Sequence, residues 1–151
     1  MKNIFDKAVT DEFISRINKL EPTTEAIWGK MSLGQMMAHC NVTYELIYDG
    51  SQSPSPKGFK KFILKALIKP IVVGEKPYKK NSRTAPDFLI TTEKEFTSEK
   101  ARLIEYVIKT QELGANHFEG KESHSFGALN TTEWNNMFVK HLDHHLSQFG
   151  V

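Results

Sequence analysis

Four stretches of this 151-residue chain carry apolar residues three and four apart, the spacing that lines up one face of an α-helix, and none alternates as a half-buried strand would. An all-α fold follows. The first stretch, Ile4 to Leu20, stops before Pro22, with a break expected near Thr10. The second opens at Ser32, where Ser32 and Gln35 make a capping box: the hydroxyl accepts from a first-turn amide and the Gln35 side chain reaches back. Met36, Met37, Cys40, Tyr44 and Ile47 form its stripe, and Asp49-Gly50 its end. The third runs from about Glu93 to Leu113, with Gly114 as its C-terminal cap. The fourth is announced by Asn130 and Glu133, another cap-and-return pair, and continues through Trp134, Phe138, Leu142 and Leu146 almost to Val151.

Helices of roughly 17 to 20 residues, each about 25 to 30 Å long, predict a four-helix bundle forming one domain over residues 1–151. The link between the second and third helices is too long for a tight antiparallel turn and reads as a crossover. It opens with a loop, Ser51 to Pro56, whose prolines cannot continue a helix. Phe59 to Lys69 then reads as a short amphipathic helix, with Phe59, Phe62, Ile63, Ala66 and Leu67 on one side and Lys60, Lys61, Lys65 and Lys69 on the other. From Pro70 through Gly74, Pro77 and Pro86 to about Ile90 the chain is expected to be irregular, and Ala115 to Leu129 reads as loop.

Charge is concentrated in that crossover. Between Lys57 and Arg83 there are nine bases and one acid, Glu75, a charge of +8, while the rest carries eleven bases and seventeen acids, or −6. Such a segment attracts phosphates, anionic lipid or an anionic substrate, or is simply a solvated face. It lacks the regular aromatic interleaving of a nucleic-acid surface, so no nucleic-acid partner is inferred. Cys40, the single cysteine, cannot make an internal disulfide, which suits a reducing compartment. Asp6 comes too early for a signal peptide, and the longest apolar run, Phe62 to Val73, is interrupted by Lys65, Lys69 and Pro70. A soluble, cytoplasmic protein without integral membrane association is expected.

The chemistry lies in the histidines. His141 and His145 are four residues apart on the last predicted helix, so their imidazoles leave one face a turn apart and can close on one ion. A third ligand is wanted, and His39 sits inside the second predicted helix, where a partly buried imidazole needs a partner. His39, His141 and His145 together would hold a divalent transition metal while leaving coordination positions open. Imidazoles suit zinc, nickel, copper and iron alike. His141 with His144 is also a same-face pair. His145 is preferred because Phe138, Leu142 and Phe149 share its stripe, whereas Lys140 and Gln148 flank His144. The competing reading is a set of surface imidazoles favoured by the helix dipole at a C-terminus. Metal binding through imidazoles should weaken below about pH 6.5 as they protonate.

Other candidates are weaker. Cys40 points away from His39 and reads as inert core. Asp143 and Glu45 are candidates to orient metal-bound histidines. His124 lies in the loop before the last helix and is placed to cover a site, while Trp28 and Trp134 read as packing residues. No phosphate loop, Ser/His/Asp set or C-x-x-C pair is present.

Four blocks, Trp28-Gly-Lys-Met-Ser-Leu-Gly-Gln-Met-Met-Ala-His-Cys40, Thr84-Ala-Pro-Asp-Phe88, Ser123-His-Ser-Phe-Gly127 and Lys140-His-Leu-Asp-His-His-Leu-Ser-Gln-Phe-Gly-Val151, resemble a bacterial domain-of-unknown-function family. That family falls within the DinB/YfiT-like metalloenzyme superfamily. The resemblance covers nearly the whole chain and implies a four-helix bundle with a long crossover between the second and third helices. It also implies a three-histidine metal site, one ligand on helix two and an H-x-x-x-H pair on helix four, which fall here on His39, His141 and His145. Zinc or nickel leads among the metals, with iron or manganese next. Better understood relatives are thiol-dependent S-transferases using bacillithiol-like cofactors and a mycothiol-dependent isomerase, and relatives also point to a homodimer.

Three functions follow from these readings. The first is an enzyme that activates a low-molecular-weight thiol for S-transfer to a small electrophile, the basic segment drawing in an anionic cofactor. The second is a hydrolase in which metal-bound water is the nucleophile. The third is a non-catalytic module that uses the Phe59 to Lys69 helix on an anionic membrane or protein surface.

Overall fold

A computed structural model describes residues 1–50 and 54–151; Ser51 to Ser53 of the expected Ser51–Pro56 loop lie outside the described residues. The architecture is mostly helical. Four long helices, α1 (Lys7–Asn18), α2 (Leu33–Tyr48), α5 (Phe96–Phe118) and α6 (Thr131–Gln148), pack on one another, α2 along α5 and α1 against both α5 and α6. Between α2 and α5 the crossover carries α3 (Gly58–Ile63), a π-helical turn at Leu64–Ile68, and α4 (Lys69–Val73), followed by a 3₁₀ turn at Pro86–Phe88.

The two capping boxes form as read. Ser32 Oγ accepts from the Gln35 amide at 3.3 Å and Gln35 Oε1 accepts from the Ser32 amide at 3.0 Å. At α6, Asn130 Oδ1 accepts from the Glu133 amide at 2.8 Å and Glu133 returns to the Asn130 amide at 3.1 Å. Between them these caps start the helices that carry His39, His141 and His145. Gly34 is needed beside the first cap, since a Cβ there would lie 2.1 Å from the Lys94 carbonyl oxygen.

Several expectations are corrected. Helix α1 has 12 residues rather than about 17, and no break occurs at Thr10, whose hydroxyl donates to the Ile4 carbonyl at 2.7 Å and ties the preceding turn down. Gly114 does take a left-handed φ of 72°, but as a kink rather than an end, because the chain re-enters a helical turn and runs on to Phe118. The segment read as loop after it also holds a two-stranded antiparallel hairpin, β1 (Glu122–Ser123) with β2 (Gly127–Ala128). Strands of two residues are too short to show alternation in sequence.

The crossover departs furthest from its reading. Pro70 sits within helix rather than ending it. A proline lacks the amide that an α-helix would donate to the residue four back and clashes with that carbonyl; the wide turn just before it, closed by the Lys69 amide on the Leu64 carbonyl, loosens the ladder where this conflict arises. The far end of α4 is held by α6. Lys140, 6% exposed, donates from Nζ to the carbonyls of Ile71, Val72 and Gly74 at 2.7, 3.2 and 2.6 Å. Asn136 Nδ2 donates to the Val73 carbonyl at 2.9 Å. Burial pulls the Lys140 pKa down to about 8, which leaves it mostly protonated at neutral pH.

The core runs through Phe13, Ile17, Met36, Met37, Tyr44, Leu103, Val107, Phe118, Trp134, Phe138 and Leu142. Trp134 is therefore a packing residue. No helix among the described residues is long and apolar enough to cross a membrane.

Candidate metal centre

Helix α2 brings one imidazole and α6 brings two to the same point. His39 and His145 are buried, at 5% and 6% exposure, and the ring centroids of His39, His141 and His145 lie 4.6 to 4.9 Å apart. One ring nitrogen from each lies within 4.8 Å of the other two, so the three can hold a metal ion. His144 is directed elsewhere, against Trp28 at 4.7 Å and Tyr78 at 5.6 Å between centroids.

Each ring is fixed from behind by its Nδ1. His39 Nδ1 donates to the Phe88 carbonyl at 2.8 Å, and this carbonyl is set by the 3₁₀ turn at Pro86–Phe88. His145 Nδ1 lies 2.8 Å from Gln148 Oε1. The orientation of that amide is decided by its other end, because Gln148 Nε2 donates to the Trp28 carbonyl at 2.8 Å. Oε1 must therefore accept, so His145 carries its proton on Nδ1 and keeps the Nε2 lone pair free. Gly29 makes room for this amide: φ is +90°, and a Cβ would stand 2.4 Å from Gln148 Nε2. His141 Nδ1 lies 3.0 Å from Thr43 Oγ1, a hydroxyl that can accept or donate.

This donor set fits a cation. His141 Nε2 and His39 Nε2 face each other at 2.9 Å, and something positive must lie between two lone pairs so close. In one proton arrangement it is His141's own proton, donated to His39 while Thr43 donates to Nδ1. Moving that proton to Nδ1, where Thr43 accepts it, leaves three converging lone pairs. Neutral imidazoles with the second nitrogen held by an oxygen are the usual form of histidine at a metal.

Electrostatics keep the rings neutral. Burial lowers the His39 pKa, with the Phe88 hydrogen bond opposing it weakly. His141 is pushed well below the ordinary value by burial, then by His145 and His39. Burial carries His145 down to about 3. Protons thus compete with a metal less than free imidazoles would, and the weakening expected below pH 6.5 moves to lower pH.

The other sequence candidates lie apart. Asp143 pairs with Arg16 at 2.8 Å and Glu45 with Arg102, so neither carboxylate backs a histidine. Phe88, Thr43 and Gln148 do that work instead. Cys40 is buried with its thiol pKa raised by burial and its Sγ 3.8 Å from Met36 Sδ, an inert core position. His124 has Ser55 for its neighbour, at 3.5 Å. Trp28 stands at the rim of a cavity of about 450 Å³, whose wall includes Tyr78, Lys2, Lys80, Lys140 and His144. His144 is the shared wall between this cavity and the centre, its ring 5.0 Å from that of His145.

The sequence pattern of one protein family matches residues 5–150, almost the entire chain. The chain belongs to the DUF1569 family. Its description is a protein of unknown function, so membership carries no activity with it. No curated protein and no solved structure matches the chain.

Proposed function

We propose that this DUF1569 chain is a metal-dependent enzyme with the DinB/YfiT-like four-helix bundle. His39, His141 and His145 would hold a divalent transition metal, zinc or nickel first, and the substrate would be a low-molecular-weight thiol to be transferred to a small electrophile. The observation that carries this reading is the convergence of three imidazoles, each anchored through Nδ1. The packing of α1, α2, α5 and α6 and the long crossover between α2 and α5 support the bundle. A metal with three nitrogen ligands and open positions supplies Lewis acidity, which lowers the pKa of a thiol bound to it.

The chain's own groups would bind and orient. Phe88 stands edge-on to His39 and His141, at 5.7 and 6.1 Å between centroids, and shields that side of the rings from water. In the adjoining cavity Trp28 and Tyr78 supply flat apolar walls and the Lys80 ammonium stands 5.7 Å from the Trp28 ring centroid, which suits an anionic small molecule.

Elemental analysis of untagged protein tests the centre. The parent should carry about one equivalent of metal, the folded His39→Ala/His141→Ala/His145→Ala variant none, and His144→Ala as much as the parent. A parent that takes up no metal even on reconstitution removes the proposal. With the centre established, consumption of an electrophile only when thiol is added supports transfer, and ester or amide cleavage without thiol moves the reading to hydrolysis.

A further inference from the structure

Phe59, Phe62, Leu67 and Ile71 are 77%, 67%, 64% and 61% exposed, and all project from the crossover rather than into the protein. The opposite side of the same helical run faces the body: Leu64 and Val72 pack on the core and Val73 is buried. Amphipathic helices of soluble proteins turn their apolar stripe inward; this one turns it out.

The π-helical turn keeps the stripe straight. At 100° per residue, Leu67 and Ile71 would sit about 80° and 120° around the axis from Phe59. The wide turn at Leu64–Ile68 takes up an extra residue and rotates both back toward the line of Phe59, Phe62 and Ile63. The result is an apolar ridge about 24 Å long over residues 58–73.

Charge identifies what would cover it. Lys57, Lys60 and Lys61 accompany the ridge and make no ion pair among the described residues, while Lys65 reaches back to Gly127 of the hairpin and Lys69 is held by Glu133 at 2.8 Å. A second copy placed ridge to ridge would bring these lysines against their equivalents with no acid between them. An anionic surface would not. We propose that residues 57–73 form a docking helix for an anionic lipid surface, with Phe59, Phe62, Ile63, Leu67 and Ile71 entering the acyl boundary and the lysines remaining at headgroup level. A helix lying in the interface needs no complementary groove, only apolar depth and flanking bases. This is peripheral docking and stands apart from the metal reading.

Sedimentation of the full-length protein with vesicles of mixed phosphatidylglycerol and phosphatidylcholine, and of phosphatidylcholine alone, tests it. The parent should bind the anionic vesicles at low salt, bind the neutral ones weakly, and lose binding several-fold as salt is raised. Phe62→Ser/Leu67→Ser should reduce binding at least about tenfold, and Lys57→Glu/Lys60→Glu should do so with a smaller salt dependence. These positions are exposed, so an unchanged melting temperature and unchanged far-ultraviolet circular dichroism will show that both variants fold. No binding to anionic vesicles at low salt overturns the proposal, as does binding that the serine variant leaves intact. A dimer in sedimentation velocity that the serine variant dissolves, without vesicle binding, assigns the ridge to a second copy instead.

Discussion

The histidine centre and the crossover ridge break the same rule in opposite directions. At the centre, polar groups are buried: His39, His145 and Gln148 are at most 6% exposed, and each has a hydrogen-bond partner. On the ridge, apolar groups are exposed, and nothing in the fold uses them. Burying a polar group is costly unless it is satisfied, so the centre must be precise. Exposing an apolar group costs folding little, so the ridge places almost no demand on the rest of the chain. Substitutions in the two regions should therefore differ greatly in their effect on stability.

Acid should reveal the largest difference. In the unfolded chain the histidines protonate near pH 6.5, whereas folded His145 resists until about 3, with His39 and His141 lowered as well. As pH falls below about 6.5 the unfolded state takes up protons that the folded state refuses, so metal-free protein should lose about 1.4 kcal/mol per pH unit through His145, with His39 and His141 adding in the same direction. Above that pH these groups add no slope. Urea unfolding of metal-free protein between about pH 7 and pH 5 measures it; a flat profile would mean that the rings are not held neutral.

Lys140 is the joint between the two regions, gripping the end of α4 from the turn that carries His141. Lys140→Met leaves three carbonyls without their donor and should cost about 1 to 3 kcal/mol, read as a lower urea midpoint. An unchanged midpoint would show that water replaces the ammonium freely and that the crossover is not clamped. Next in size is Gln148→Ala, which frees His145 Nδ1 and should weaken metal binding by about 10 to 100-fold in a chelator competition, with His144→Ala as the unaffected control. Smallest of all, Phe62→Ser should move stability by no more than about 0.5 kcal/mol. A large loss there would mean that the ridge is packed in solution and would erase the contrast.

Legibility from sequence followed locality. The capping boxes at Ser32 and Asn130 are complete within four residues, and the structure forms both. The pairing of His141 with a turn-related histidine is local too, but the choice between His144 and His145 rests on which face of α6 turns inward. Gln148 is one turn from His145, but the other two groups that fix the rings could not be read: the Phe88 carbonyl is 49 residues from His39 and is backbone, and Thr43 is 98 residues from His141. Gly29 left a trace only as a glycine beside Trp28; its reason, the approach of Gln148, lies at the other end of the chain. Periodicity likewise revealed the stripe on the crossover but not its direction, since an amphipathic pattern has no sign until something packs on it. Pro70 is a stop signal only in a strict α-helix, and the π-helical turn before it removes the conflict that makes it one.

His39 and His141 meet across 102 positions of sequence, so an ion held between them ties the early part of the chain to its end. A tie of that span resembles a cross-link over a very long loop, whose closure entropy must be met before the ligands can meet. An ion that needs all three rings would be held only once α2 and α6 have docked, and would act as a latch on a finished fold rather than a seed for it. Loading would then record that the chain closed correctly, and its loss would be an early sign that the two ends have begun to part.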